Sequence, residues 1–180
     1  LPEVSIRKAG PADAALVSKL GRSSFYEAFA EETTPEDMTE HLQRAFKVED
    51  IQKQLDDDRS LLLLIEVDAD PAGYALLYPD NPPNCVTGPD PIQLVRFYLR
   101  RDYYGRNIGN RLMEACLLLA FAEGYRSIWL SSWEQNHRAN AFYKKWGFEI
   151  VGAVKFKVGN DIQDDHIFLK KLSKNSTWKT

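Results

Sequence analysis

Two stretches of this chain carry residue types at spacings that could do chemistry. In the first, Tyr104-Gly105-Arg106-Asn107-Ile108-Gly109-Asn110 lies between an apolar, strand-length run ending near Leu99 and a helix-length run reaching about Glu123. A glycine-spaced turn feeding a helix leaves backbone N–H groups without intrahelical partners, and the helix dipole adds roughly half a positive charge, so the turn can grip an anion. Arg106 and Arg111 could add charge, although a plain helix start with glycines for tight packing uses the same residues. In the second stretch a strand is followed by Asn136 opening a helix that carries Phe142 and Tyr143, and Gly147-Phe148 begins another strand. A phenol with a pKa of about 10 stays protonated at neutral pH and can give up a proton inside a cleft. A Tyr beside a Phe on an amphipathic helix is also an ordinary core pair.

The elements that must position these residues follow from periodicity and turn chemistry. Residues 4–8 read as a strand, and Pro11 begins a helix with Leu16, Val17 and Leu20 at helical spacing. Thr34, Pro35 and Asp37 have the form of an N-cap, a first helical residue and a capping-box variant, opening a helix with Met38, Leu42, Ala45 and Phe46 on one face. A short third helix is expected over residues 49–55. Runs 60–67 and 73–78 are apolar strands joined by a turn loop over 68–72. The segment with Pro79, Pro82, Pro83, Pro89 and Pro91 is too proline-rich for regular structure, and we expect a mobile insertion beside the site. Strands over 149–157 and 163–172 pair across Val158-Gly159-Asn160-Asp161. The architecture is therefore α+β, a mixed sheet with helices on both faces. Residues 1–172 form one domain and 173–180 a polar tail.

Composition narrows the class of function. A chain of 180 residues with 44% hydrophobic content can furnish one full core. Its formal net charge of -3 argues against a nucleic-acid binder and for a small-molecule partner. Cys85 and Cys116 give neither a metal-cluster spacing nor a disulfide framework, so no metal is expected and the thiols are read as reduced. No stretch reaches the roughly 18 apolar residues needed to span a bilayer, and no charged-then-apolar leader is present, which points away from membranes and to a cytoplasmic protein. The sequon Asn175-Ser176-Thr177 would matter only in a secreted chain. Asp56-Asp57-Asp58 reads as a solvated helix end rather than a metal site.

The second stretch, with Asn136, Ala139, Phe142, Tyr143, Gly147 and Phe148, resembles the Asn-x-x-Ala-x-x-Phe-Tyr-x-x-x-Gly-Phe motif of the GNAT superfamily of acetyl-CoA-dependent N-acetyltransferases. The first resembles that family's Gln/Arg-x-x-Gly-x-Gly/Ala turn in part: Gly109 fills the last small position, while Tyr104 stands for Gln/Arg and Asn107 for Gly. Asn is the non-glycine residue best able to adopt a positive φ. The segment Phe156-x-x-Gly159-x-Asp161-x-Gln163-x-Asp165 is similar to the tail of PaiA-type polyamine N-acetyltransferases. This resemblance implies a seven-stranded, mostly antiparallel sheet with a splayed central parallel pair, and acetyl-CoA as cosubstrate. It also implies that Phe97, Tyr98 and Leu99 offer backbone groups to the pantetheine arm as an added strand would. The loop Tyr104, Gly105, Arg106, Asn107, Ile108, Gly109, Asn110 would hold the diphosphate, and Asn136 would bond the pantetheine amides as well as cap its helix.

By the same resemblance the reaction is direct attack of an amine on the thioester in a ternary complex. Tyr143 is then the general acid, since a phenol can protonate a thiolate as it forms. Glu134, at the end of the central strand, is the first candidate for general base, with His137 the runner-up. Glu27, Glu31, Glu32, Glu36, Asp37 and Glu40 form a run without Lys or Arg. That run suggests a polyamine or other primary amine as acceptor, or simply a solvated acidic helix start. The alternative function is a non-catalytic acyl-CoA-binding module in which Tyr104 and Asn107 weaken the phosphate grip. A dinucleotide-binding oxidoreductase is disfavoured because Gly105 and Gly109 lack the G-x-G-x-x-G spacing. A monomer and a homodimer through the last hairpin both remain open.

Overall fold

The computed structural model describes residues 1–174, so the sequon at Asn175 and most of the expected tail lie outside the described residues. The strand β1 (Val4–Lys8) passes through a 3-10 turn into α1 (Ala14–Phe29). Next come α2 (Pro35–Ala45) and α3 (Val48–Asp56). Thr34 caps α2 as its sequence implies, its hydroxyl accepting the Asp37 amide at 3.2 Å with Pro35 in the first turn. The strands β2 (Leu61–Val67) and β3 (Asp70–Tyr78) meet at a tighter turn than expected. Asp68 and Ala69 alone make it, both with positive φ, and Pro71 and Ala72 belong to the strand instead of the loop. Pro71 is tolerated there because it faces Glu66 at a register shift, where the ladder is already broken.

The remaining elements are β4 (Pro91–Leu99), α4 (Ile108–Ala122), β5 (Ser127–Trp133), α5 (His137–Lys145), β6 (Glu149–Val158) and β7 (Asp161–Lys171). Among the described residues the strands form one seven-stranded sheet in the order β1-β2-β3-β4-β5-β7-β6. Only β4 and β5 run parallel to one another. Both faces are covered. Leu62, Leu64, Tyr74 and Leu76 pack with Val17 and Leu20 of α1 and Ile51 of α3, while Leu63, Ile65, Ala75 and Leu77 pack with Leu112, Met113 and Cys116 of α4. Burial on both sides explains why β2 reads as an unbroken run of leucines and isoleucine rather than an alternation.

One feature of the sheet makes room for a site. The parallel pair is bonded only at Pro91↔Ser127, Ile92↔Ile128 and Gln93↔Trp129. Beyond Gln93 the β3–β4 register shifts, and Val95 is the extra residue. From there β4 stays with β3 as far as Leu99, while β5 stays with β7 as far as Trp133↔Asp165. The two strands part, and backbone groups on the facing edges are released from the ladder.

The proline-rich connection between β3 and β4 corrects an expectation. None of its residues lines the opening, and part of it is packed on the sheet. Cys85 and Val86 pack against Trp129, Ile167 and Leu169, and the Ser127 hydroxyl donates to the Pro89 carbonyl at 2.7 Å. Proline blocks regular structure, but it does not prevent a segment from burying the apolar residues it carries.

Candidate active site

The parting of β4 and β5 opens a cleft of about 750 Å³, a volume suited to a small-molecule ligand. Its walls include Phe97, Tyr98 and Leu99 of β4, the loop residues Tyr104, Gly105, Asn107, Gly109 and Asn110, and Asn136 and Tyr143 at α5. Arg106 and Ile108 are not among the lining residues. The Ile108 side chain is buried in the core, and Arg106 lies over the Tyr103 ring at 5.8 Å. Arg111 likewise turns away, its guanidinium reaching the Val4 carbonyl at 3.4 Å.

The loop has the backbone that an anion grip requires. Gly105 has φ of 73° and Asn107, the residue before α4, has φ of 64°, so Asn does adopt the left-handed conformation that glycine would supply. The Asn107 side chain does not cap α4, and Gly109 and Asn110 of its first turn line the cleft. The Asn110 side chain ties the loop together, donating to Asn107 Oδ1 at 2.6 Å and accepting from the Trp146 indole at 3.0 Å. A Cβ on Gly109 would meet Leu99 at 3.2 Å, so a small residue is needed where helix and strand approach.

On α5, Asn136 caps the helix by accepting the Ala139 amide at 3.3 Å. Asn140, which sequence reasoning passed over, fastens this helix to the end of β5 by donating to the carbonyls of Trp133 and Glu134 at 3.1 and 3.0 Å. Tyr143 is buried against Phe142, Phe148 and Phe168, and burial raises its phenol above the ordinary value, so it remains a proton donor well past neutral pH.

Through the gap, on the α1 side of the sheet, the cleft is lined by Phe25, Phe29, Trp133, Phe156 and Asp165. Asp165 is 5% exposed and its Oδ1 has no hydrogen-bond partner. Burial pushes its carboxyl up to about 6, with the Ser131 hydroxyl pulling the other way and Asp164 adding to the rise. Glu134 lies outside the lining, in the turn after β5, with its amide bonded to the Asp164 carbonyl at 2.9 Å. His137 is exposed and also outside. Of the acidic run only Glu27 lines the cleft, and its carboxylate accepts the Arg101 amide at 2.9 Å.

A sequence model of the Acetyltransferase (GNAT) family matches residues 22–148, well over half of the chain. The chain belongs to this family. It is 28% identical to an uncharacterised N-acetyltransferase of Lactobacillus delbrueckii subsp. lactis over 153 residues, 85% of this chain and 88% of that one. A shorter match, 30% identical over 93 residues and spanning 49% of this chain and 59% of the other, is to a probable spermine N(1)-acetyltransferase of Bacillus subtilis subsp. natto. Among solved structures, a PaiA N-acetyltransferase from Thermoplasma acidophilum in complex with coenzyme A superposes with a TM-score of 0.77, at 20% identity, over 94% of this chain and 99% of that one.

This GNAT protein is an acetyl-CoA-dependent acetyltransferase, and its residues fit that cosubstrate. The uncapped start of α4 beside two left-handed residues suits a diphosphate, and the unpaired edge of β4 suits an amide-bearing arm. Tyr104, where the family signature has Gln or Arg, does not leave the loop without a cation: Arg138 of α5 stacks on its ring at 3.3 Å and also lines the cleft. Sequence reasoning missed Arg138 and Asp165. For Arg138 the signal was present, a cation two residues after Asn136. Asp165 stood out from neighbouring Asp164 only as a position of the PaiA-like segment, which gave it no role.

Proposed function

We propose that the protein acetylates a primary amine by direct attack within a ternary complex, with Tyr143 as the general acid. The observation that carries this reading is the presence of Tyr143, the first turn of α4 and the parted strands in one continuous cleft reaching both faces of the sheet. Acetyl-CoA supplies the activated acyl group. The chain's own part is to hold its diphosphate at residues 104–110, to bond the arm along Phe97 to Leu99 and at Asn136, and to present Tyr143 where a thiolate leaves. Cys116 is fully buried and its thiol is pushed up by burial, which supports a route without a covalent enzyme intermediate.

A polyamine acceptor draws support from the relative named as a probable spermine acetyltransferase. The acidic run that first suggested it contributes only Glu27 to the cleft. Cys85 and Cys116 are free thiols, in keeping with a cytoplasmic setting.

The deciding experiment is a thiol-release assay with acetyl-CoA and a panel of primary amines, run beside a thermal-shift titration. At a cosubstrate concentration of 100 times Kd, stabilisation of about 2.7 kcal/mol is expected. Stabilisation without thiol release from any amine in the panel would favour a binding module over an enzyme.

A further inference from the structure

The α1 side of the cleft is built from rings. Phe25 and Phe29 are 4.6 Å apart, Phe29 and Trp133 6.1 Å, and Tyr98 meets Phe25 edge-on at 6.5 Å. Phe29 and Trp133 are only partly buried and Phe156 is 38% exposed, so they offer apolar surface to the cleft instead of closing on one another. Into these surroundings β7 brings Asp165, buried and with one oxygen unpartnered.

Among the described residues no Lys or Arg is paired with Asp165, and no cation pulls its carboxyl down. Its strand neighbours are Trp133 on β5 and Val154 on β6. Next to it on β7 are Asp164, which is paired with Lys155 at 2.5 Å, and His166, which meets Phe168 edge-on at 6.2 Å; two residues back, Gln163 donates to Asp161. On α2, His41 stacks on Phe25 at 4.3 Å and lies 6.1 Å from Phe156, and burial, with Arg44 and Arg96, lowers its imidazole below the ordinary value. Across the cleft, Glu27 of α1 already holds the Arg101 amide. Arg96 of β4 is turned toward the Ala45 carbonyl at 2.7 Å and the Phe46 ring at 4.9 Å. Tyr98 and Tyr143 are phenols that burial keeps protonated. A carboxylate withdrawn from water without a partner is costly, and a ligand cation would relieve that cost.

Resting on the acetyl-transfer reading above, we propose that the acceptor is a monoamine with a short stem and an aryl or similarly bulky apolar body. Its ammonium docks on Asp165, and this carboxylate takes the proton that must leave before attack. The body packs on Phe29, Trp133 and Phe156. A dication would bring its second charge into a lining that carries Arg96, Arg101, Arg138 and Lys145 against one further carboxylate, Glu27. The step balances. One ammonium proton passes to Asp165 and frees the nitrogen lone pair; the carbon–nitrogen bond forms and the carbon–sulfur bond breaks. Tyr143 gives its proton to sulfur and regains one from the nitrogen, and Asp165 releases its own to solvent. A carboxyl near 6 is ionised at neutral pH yet more basic than an ordinary aspartate.

The test uses the full chain, acetyl-CoA and a thiol-release readout with 2-phenylethylamine, tryptamine and spermidine, for wild type, Asp165→Asn and Asp165→Glu. The aryl amines should exceed spermidine in kcat/KM by about tenfold or more. Asp165→Asn should lose roughly 10²-fold in kcat/KM and the fall in rate below about pH 6, and Asp165→Glu should recover part of both. The acetyl-CoA thermal shift should be unchanged in Asp165→Asn, which separates a base from a structural residue. Spermidine preferred over the aryl amines, or a full rate and intact acidic limb in Asp165→Asn, overturns the inference while leaving acetyl transfer standing. Absence of thiol release from every amine overturns both.

Discussion

The guanidinium of Arg138 lies 3.3 Å from the centre of the Tyr104 ring, so a cation from α5 is held over the first residue of the loop that leads into α4. Stacking on an aromatic face orients an arginine without consuming all of its hydrogen-bond donors, which leaves them available to a phosphate. Arg138→Ala should raise KM for acetyl-CoA by about tenfold, worth roughly 1.4 kcal/mol, with kcat little changed. Arg138→Lys should recover only part, because an ammonium lacks the planar fork. A KM equal to wild type in both variants would show that Arg138 serves only to pack Tyr104.

Tyr143→Phe keeps the ring contacts with Phe142, Phe148 and Phe168 and removes only the hydroxyl. Turnover should fall by about 10²-fold or more while cosubstrate affinity stays nearly intact. Because burial raises this phenol, its own ionisation should not limit the rate at any pH up to about 9. Steady-state kinetics across pH check both points.

Asn107 occupies the left-handed region with φ of 64° and bonds the Asn110 side chain. Asn107→Gly should be tolerated, whereas Asn107→Val should cost about 1–2 kcal/mol through Cβ strain alone. For a chain of this size that corresponds to a melting temperature lower by roughly 2–8 °C. Calorimetry of the two variants, with KM for acetyl-CoA measured in parallel, distinguishes a strained loop from a lost contact.

Asp37 links the start of α2 to the β6–β7 turn, accepting the Asn160 amide at 2.6 Å and the Thr34 hydroxyl at 2.9 Å. The Asn160 amide, followed by the Thr34 hydroxyl, holds its carboxyl below the usual aspartate value. A depressed folded pKa means the stabilisation is present above the unfolded value near 3.9 and is lost as pH falls through the lower folded value. Asp37→Asn should therefore melt below wild type at pH 7, and the gap should close under acid conditions. Thermal melts at pH 7 and pH 3 read this directly.

How much of this was legible in sequence depended on the distance over which each cause acts. The caps at Thr34 and Asn136, the left-handed Asn107 and the last hairpin were all readable, since each is decided by a few adjacent residues. The five-residue connection expected at 68–72 shrank to Asp68-Ala69, because strand pairing extended β3 through Pro71 at a bulge that local turn signals do not reveal. The proline-rich segment is irregular as read up to Asp90, but Pro91 opens β4 and pairs with Ser127, and the segment's packing on Trp129 and Ile167 is a tertiary event. Glu134 was expected at the cleft from its place near the end of β5. The strand in fact stops at Trp133, and Glu134 enters a turn bonded to Asp164.

By itself the order of residues determined the succession of strands and helices, the left-handed turn before α4 and the phenol that follows it, because backbone preference and apolar periodicity are local. Only the tertiary structure decided which side chains share the cleft. The register Trp133↔Asp165 puts a buried carboxylate among aromatic rings, and the approach of α5 to the loop lays Arg138 on Tyr104. Burial and proximity arise where strands distant along the chain pair and then part, and no short window of sequence contains both partners.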